Sequence, residues 1–229
     1  MLQVPARCAG ATGAVWETGG VDETTQVFRP TSGRWLAGTV AALAAFGLVS
    51  LVVEGEPAEV LRYGSVLVLV AALVWAAYWL PAVEVSAAGV TLRNVLRTVE
   101  LPWPSIQRID TRYALTLVTA YGTYSAWAAP APGNRRSHRE TPAAELRGLP
   151  ETTYGAGGSV RPGDLPSSPS GAAAAIVRRR WEELRDAGHL DDPRLERPTP
   201  RTTWHRGTLT VLGVLTVATV VALLAVHQP

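Results

Sequence analysis

The sequence predicts an α+β membrane protein in which three transmembrane helices carry a cytosolic antiparallel sheet and a capping helix. Three observations point there. Leu36 to Val53, Tyr63 to Leu80 and Gly207 to Val226 are apolar runs of 18, 18 and 20 residues without one charge. At about 1.5 Å per residue, each nearly crosses a hydrocarbon core roughly 30 Å thick. Between residues 83 and 128 the apolar positions alternate with a period of two, the mark of half-buried strands. Finally, residues 172–188, AAAAIVRRRWEELRDAG, carry one apolar stripe at helical spacing. Only 17% of the chain is charged, against about 25% in a soluble domain.

The elements follow in chain order. Residues 1–33 read as a disordered tail, since they have no period and no apolar core of the kind a secretory signal needs. Val21 opens a polar lead-in of ordinary length and is an alternative start, which would leave Cys8 outside the protein. A transmembrane hairpin spans 34–81, joined by the nine-residue connection EGEPAEVLR at 54–62 and leaving through Trp75, Tyr78, Trp79 and Pro81 at headgroup level. The sheet occupies 82–128. Val83 and Val85 lead through a turn at 87–89 to Val90 and Leu92, Arg93-Asn94 turns the chain into Val95 to Leu101, and Pro102 and Pro104 bracket Trp103. Residues 105–110, then Tyr113 to Thr119 and Thr123 to Ala128 across Ala120-Tyr121-Gly122, complete five to six short strands. A Pro/Gly/Ser-rich linker covers 129–170, with at most a turn near 143–147. An amphipathic helix at 171–188, capped by Ser168 or Ser170 and ended by Gly188, presents Ala172 or Ala173, Ile176, Val177, Trp181 and Leu184. It is expected to close the sheet, with the membrane surface or a second protein as the other takers of its stripe. An approach segment, 189–206, leads to the third transmembrane helix at 207–226.

Orientation follows from arginines beside the spans. Arg29, Arg34, Arg93, Arg97 and Arg206 share one side, and the acidic 54–62 loop offers Arg62 alone. The reading is a multi-pass cell-membrane protein with its N-terminus and large region cytoplasmic and its C-terminus outside.

Chemistry-bearing patterns are scarce. His138, His189, His205 and His227 stand apart with no HExxH or HxxxH spacing, and a lone Cys8 supplies neither a disulfide framework nor a Cys-rich metal site. A chain without lysine has no Walker lysine. No ionisable residue lies inside the spans to carry ions or protons. Asp110, Glu100 and Tyr124 read as ordinary sheet residues. The expectation is therefore no enzyme, no catalytic residue, no metal and no cofactor. The clearest functional signal is basic: Arg93, Arg97, Arg108 and Arg112 fall in a sheet close to the inner leaflet, where each contributes on the order of 1 kcal/mol toward anionic lipid. Glu84, Glu100 and Asp110 dilute them. Arg178-Arg179-Arg180 reads as a solvated helix face, pairing Arg178 with Glu182 and Arg179 with Glu183, and nucleic acid is not expected. Trp103, Ile106, Trp181 and Leu184 are the core candidates. Gly38, Ala41, Ala42, Ala45 and Gly47, with Gly213, Thr216 and Thr219, permit close helix approach in the chain or in an oligomer.

The run VEVSAAGVTLRNVLRTVELPWPSIQRID, preceded by two close spans, resembles the PH-domain-containing membrane proteins of actinobacteria related to the low-molecular-weight protein antigen. Val83, Val85, Gly89, Val90, Arg93, Asn94, the Leu101-Pro102-Trp103 corner and Ile106 carry the resemblance, which extends over roughly 28–128 and 171–226. It implies a PH-like fold, a bent antiparallel sheet closed by a helix, and no established enzyme activity. The family's name implies phosphoinositide binding by analogy, but the basic signature loop of the eukaryotic domains is missing, and the proline-rich gap before the helix is a departure. The functional expectation is a membrane-anchored PH-like interaction module, a scaffold or adaptor for an unknown membrane or envelope protein. The alternatives are an anionic-lipid-binding module contacting membrane lipids, or a non-catalytic accessory subunit of a membrane enzyme.

Overall fold

The computed structural model describes residues 25–54, 56–132, 149–155, 159–190 and 199–225. Three helices are long and apolar enough to cross a membrane: α1 (Thr31–Glu54), α2 (Pro57–Tyr78) and α4 (Arg206–Ala225). α2 packs against both others, with Gly47 beside Leu67, Gly64 beside Leu48 and the Thr219 hydroxyl donating to Ser65 O at 3.3 Å. α2 begins at Pro57, not Tyr63, and takes Glu59 and Arg62 into its first turns. Most of the connection expected at 54–62 is thus helical, because Pro57 has a favourable φ for a first helical position and Glu59 faces the positive helix start.

The strands form two antiparallel sheets where one was expected. β1 (Gln26–Phe28), β2 (Ala82–Val85), β3 (Gly89–Arg93), β4 (Arg97–Pro102) and β8 (Arg201–Trp204) make a sheet in the order β1-β2-β3-β4-β8. β5 (Ile106–Asp110), β6 (Ala114–Thr119) and β7 (Gly122–Pro130) make a second. The break falls at a 3₁₀ turn, Trp103–Ser105, where Pro102 and Pro104 interrupt the ladder. Register sets the faces: Val83 lies opposite Leu92 and Leu92 opposite Val99, all turned inward, while Glu84, Thr91 and Glu100 line up outward and end opposite Arg201.

Two expectations change here. Gln26–Phe28, inside the segment expected to be disordered, pairs with β2; residues 1–24 of that segment lie outside the described residues. Arg201–Trp204, inside the expected approach segment, pairs with β4.

α3 (Pro169–Asp186) packs on β7, β6, β5 and β2. Its N-cap is Ser168, whose Oγ accepts from Gly171 N at 2.9 Å, and Gly188 terminates it with a φ of 73°. Ala173, Ala174 and Val177 join Val83, Val85, Val90, Leu92, Val99, Leu101, Leu115 and Leu117 in one buried core. Fully burying a Val or Leu side chain contributes about 1.5–3 kcal/mol, so the cluster outweighs any single polar contact. Trp103 and Ile106 lie inside it, and Trp181 and Leu184 pack on it half-buried.

The segment read as a linker contains structure that belongs to the domain. Its described part holds 3₁₀ turns at Glu151–Thr153 and Pro162–Asp164, with Thr153, Gly163 and Asp164 buried; the turn expected at 143–147 lies outside the described residues. Asp164 explains why. Its carboxylate meets the Arg178 guanidinium at 2.7 Å, each side chain only 4% exposed, and accepts the Thr111 hydroxyl. Arg178 also donates to Thr153 Oγ1 at 3.3 Å. The solvated-face reading of the arginine run is therefore wrong at Arg178, and the i,i+4 pairs expected at Glu182 and Glu183 give way to others. Glu182 accepts the Thr152 amide and hydroxyl, and Glu183 pairs with Arg180.

Candidate functional site

The sheet domain is mounted on the helices with almost no slack. Arg29 and Pro30 join β1 to α1, Trp79 to Pro81 join α2 to β2, and His205 alone joins β8 to α4. Side chains tighten these junctions. His205 donates its backbone amide to Leu96 O at 2.9 Å. Its ring places Nδ1 3.3 Å from Val95 O and Nε2 2.8 Å from the Thr98 hydroxyl. A carbonyl only accepts, so Nδ1 carries a proton and donates to Val95 O. Asn94, in the β3–β4 turn, donates to Ser125 O at 2.9 Å and accepts from Trp127 N at 2.8 Å. It thereby satisfies the open edge of β7 and ties the two sheets together. Trp127 in turn donates its indole N–H to Ala77 O at 2.8 Å, capping a carbonyl in the last turn of α2.

These contacts wall a cleft of about 1080 Å³ between the domain and the near ends of α1, α2 and α4. Leu36, Leu73, Ala77 and Leu212 line it from the helices, and Val95, Leu96, Tyr113, Ser125, Trp127 and Trp204 line it from the domain. Among the described residues, Arg97 is the one charged residue in its wall and no acid lines it. Around this region arginines lie over aromatic rings: Arg34 over Trp79 at 4.4 Å, Arg97 over Trp204 at 5.9 Å and Arg112 over Tyr113 at 5.2 Å. Such pairs are attractive through the ring quadrupole.

The four arginines singled out in the sequence are divided between the two sheets. Arg93, on β3, is ion-paired with Glu84 at 3.0 Å. Arg97 is on β4 and enters the cleft wall. Arg108 is exposed on β5, and Arg112 follows β5 in the turn before β6, beside the cleft residue Tyr113. Asp110 accepts from Thr111 N and Arg112 N and pairs with Arg161 at 3.3 Å. It stands on the second sheet and Glu100 on the first, so both have structural settings. Sequence reasoning missed the cleft, because its wall is assembled from separate short segments, none with a motif of its own. The available signal was the crowding of Trp and Tyr beside the charge-free runs.

No curated protein and no solved structure matches the chain. The two sheets do have a match: residues 80–162 match the model of the bacterial PH domain family, a stretch that contains β2 to β7 and leaves β1, β8 and α3 outside. That match, over the two antiparallel sheets, supports a PH-domain-containing protein.

Proposed function

We propose that the chain is a multi-pass membrane protein that mounts a PH-like interaction module rigidly on the cytoplasmic face, as a non-catalytic scaffold or adaptor for other membrane or envelope proteins. It is of the kind found in the actinobacterial proteins it resembles. The observation that carries this reading is the mounting. A module on a long linker searches a volume, whereas one whose edge strands run into helices through one or two residues holds its faces at fixed height and angle. Fixed presentation suits a partner that is itself confined to the membrane plane. Arginines beside the domain-facing helix ends, Arg29, Arg34 and Arg206, favour the cytoplasmic side for the module. The rival reading, in which Arg93, Arg97, Arg108 and Arg112 jointly read lipid, has less support, since Glu84 neutralises Arg93 and the four are split between two sheets.

A photocrosslinking residue at Glu100, on the outer row of the first sheet, tests the proposal in living cells. Discrete protein adducts in the membrane fraction are expected. Adducts with lipid alone, or none, would overturn the adaptor role. Cysteines placed singly at Glu56 and Gln107, with Cys8 replaced, should react oppositely with an impermeant maleimide, Glu56→Cys labelling in intact cells and Gln107→Cys not.

A further inference from the structure

The cleft between module and helices has the chemistry of an amphiphile site. Its helix-side wall, Leu36, Leu73, Ala77 and Leu212, is apolar and continuous with the surfaces of the three long helices. Its domain-side wall carries Arg97, and among the described residues no carboxylate lines it. Large aromatic side chains stand open at the site: Tyr113 is 77% exposed, Trp127 58% and Trp204 53%. Exposed apolar surface of that kind, gathered at one place, marks a binding face more often than idle surface. The volume of about 1080 Å³ lies just above the range, roughly 300–1,000 Å³, of sites that hold organic ligands, room enough for a molecule as large as a lipid.

We infer that this cleft holds one anionic glycerophospholipid, an acyl chain lying against Leu36, Leu73 and Leu212 and the phosphate facing Arg97. The inference rests on the membrane-anchored reading above and deepens it by naming a ligand for the junction. Charge complementarity selects the headgroup: among the described residues the wall offers one cation and no anion, and basic pockets between membrane helices on the cytoplasmic side bind acidic headgroups. Position selects the chain. A free anion would gain nothing from the leucines, and its burial against them would cost desolvation without return. A lipid leaves its tail among the helices and brings only its phosphate to the arginine. Arg34 and Arg112, each resting on an aromatic ring, flank the same region and add to its positive potential.

Native mass spectrometry of the full chain, released from nanodiscs of equal phosphatidylglycerol and phosphatidylcholine, tests this. One retained phosphatidylglycerol per chain is expected, at least tenfold above phosphatidylcholine. Arg97→Glu, which reverses the headgroup contact, and Ser125→Trp, which fills the cleft, should each lower retention at least fivefold with near-UV circular dichroism unchanged. Leu96→Gln replaces Ser125→Trp should that variant misfold. Millimolar glycerol phosphate should not displace the lipid. Equal retention of both lipids, retention unaffected by the cleft-filling variant, or displacement by glycerol phosphate would each overturn the site. Failure of the underlying reading looks different: the chain would then stay monodisperse in buffer without detergent.

Discussion

The PH-like module and the three long helices use the same residue types in opposite ways. In the module, Val83, Val90, Leu92, Leu115 and Leu117 are wholly buried, each facing its counterpart across the two sheets or α3. In the helices, Leu43, Phe46, Val53 and Leu224 are 64–76% exposed, and the contacts between helices set small residues against larger ones, Gly47 against Leu67 and Gly64 against Leu48. The module obeys a period of two because one face of each strand meets water. The helices obey no period, because no face of them is matched to water. Exposure therefore has two meanings in one chain: tolerance to change in the module, and a demand for an apolar surrounding in the helices.

The largest test of that contrast is in the buried charge pair of Asp164 with Arg178. Asp164→Ala leaves Arg178 buried without its carboxylate and should cost about 3–5 kcal/mol, read as a lower midpoint in thermal unfolding of the detergent-solubilised chain. The double replacement Asp164→Leu with Arg178→Met should recover most of it. Trp103→Ala should cost a similar amount, about 3–5 kcal/mol, because it empties a core site and leaves Ser86 O without the indole donor it accepts from at 3.0 Å. A change of under a degree in midpoint would place Trp103 outside the core. Phe46→Arg attacks the other region. At a position 74% exposed, a soluble surface would tolerate it, yet membrane insertion of α1 should lose about 2.5–3.5 kcal/mol, read by a translocon insertion assay. Insertion equal to wild type would break the contrast. The smallest effect belongs to Gly89→Ala, where a Cβ would collide with the Leu101 carbonyl on the paired strand. Overpacking of that kind costs about 1–3 kcal/mol, visible as a shift in the urea midpoint.

Much of this architecture is local and was open to reading. Alternation at Val83, Val85, Val90 and Leu92, the proline bracket around Trp103, and the Ser168 and Gly188 helix ends each state their structure within a few residues. What escaped reading is non-local. Gln26–Phe28 and Arg201–Trp204 are too short and too polar to announce strands, and become so because β2 and β4 present open edges beside them. Arg178 looked solvated because acids follow it at helical spacing. Its burial depends on Asp164, in the segment before the helix, although its place one turn after Ala174 and one turn before Trp181 was the available hint. Of Arg93, Arg97, Arg108 and Arg112, only Arg97 lines the cleft, since its register opposite Trp204 is a product of the β4–β8 pairing.

The single-residue joint at His205 fixes a rotational phase. Strand β8 is held in register by β4 and leads at once into α4, so the sheet dictates which side of that helix turns toward α2, where Thr219 reaches Ser65. One residue inserted after His205 would turn α4 by about 100° and carry Thr219 away from α2, although it alters no strand and no apolar run. Sheet and helix bundle thus behave as a gear train in which a twist at one end reappears at the other. A disulfide between cysteines at Ser65 and Thr219 that formed as readily in the inserted chain as in its parent would show that the train slips.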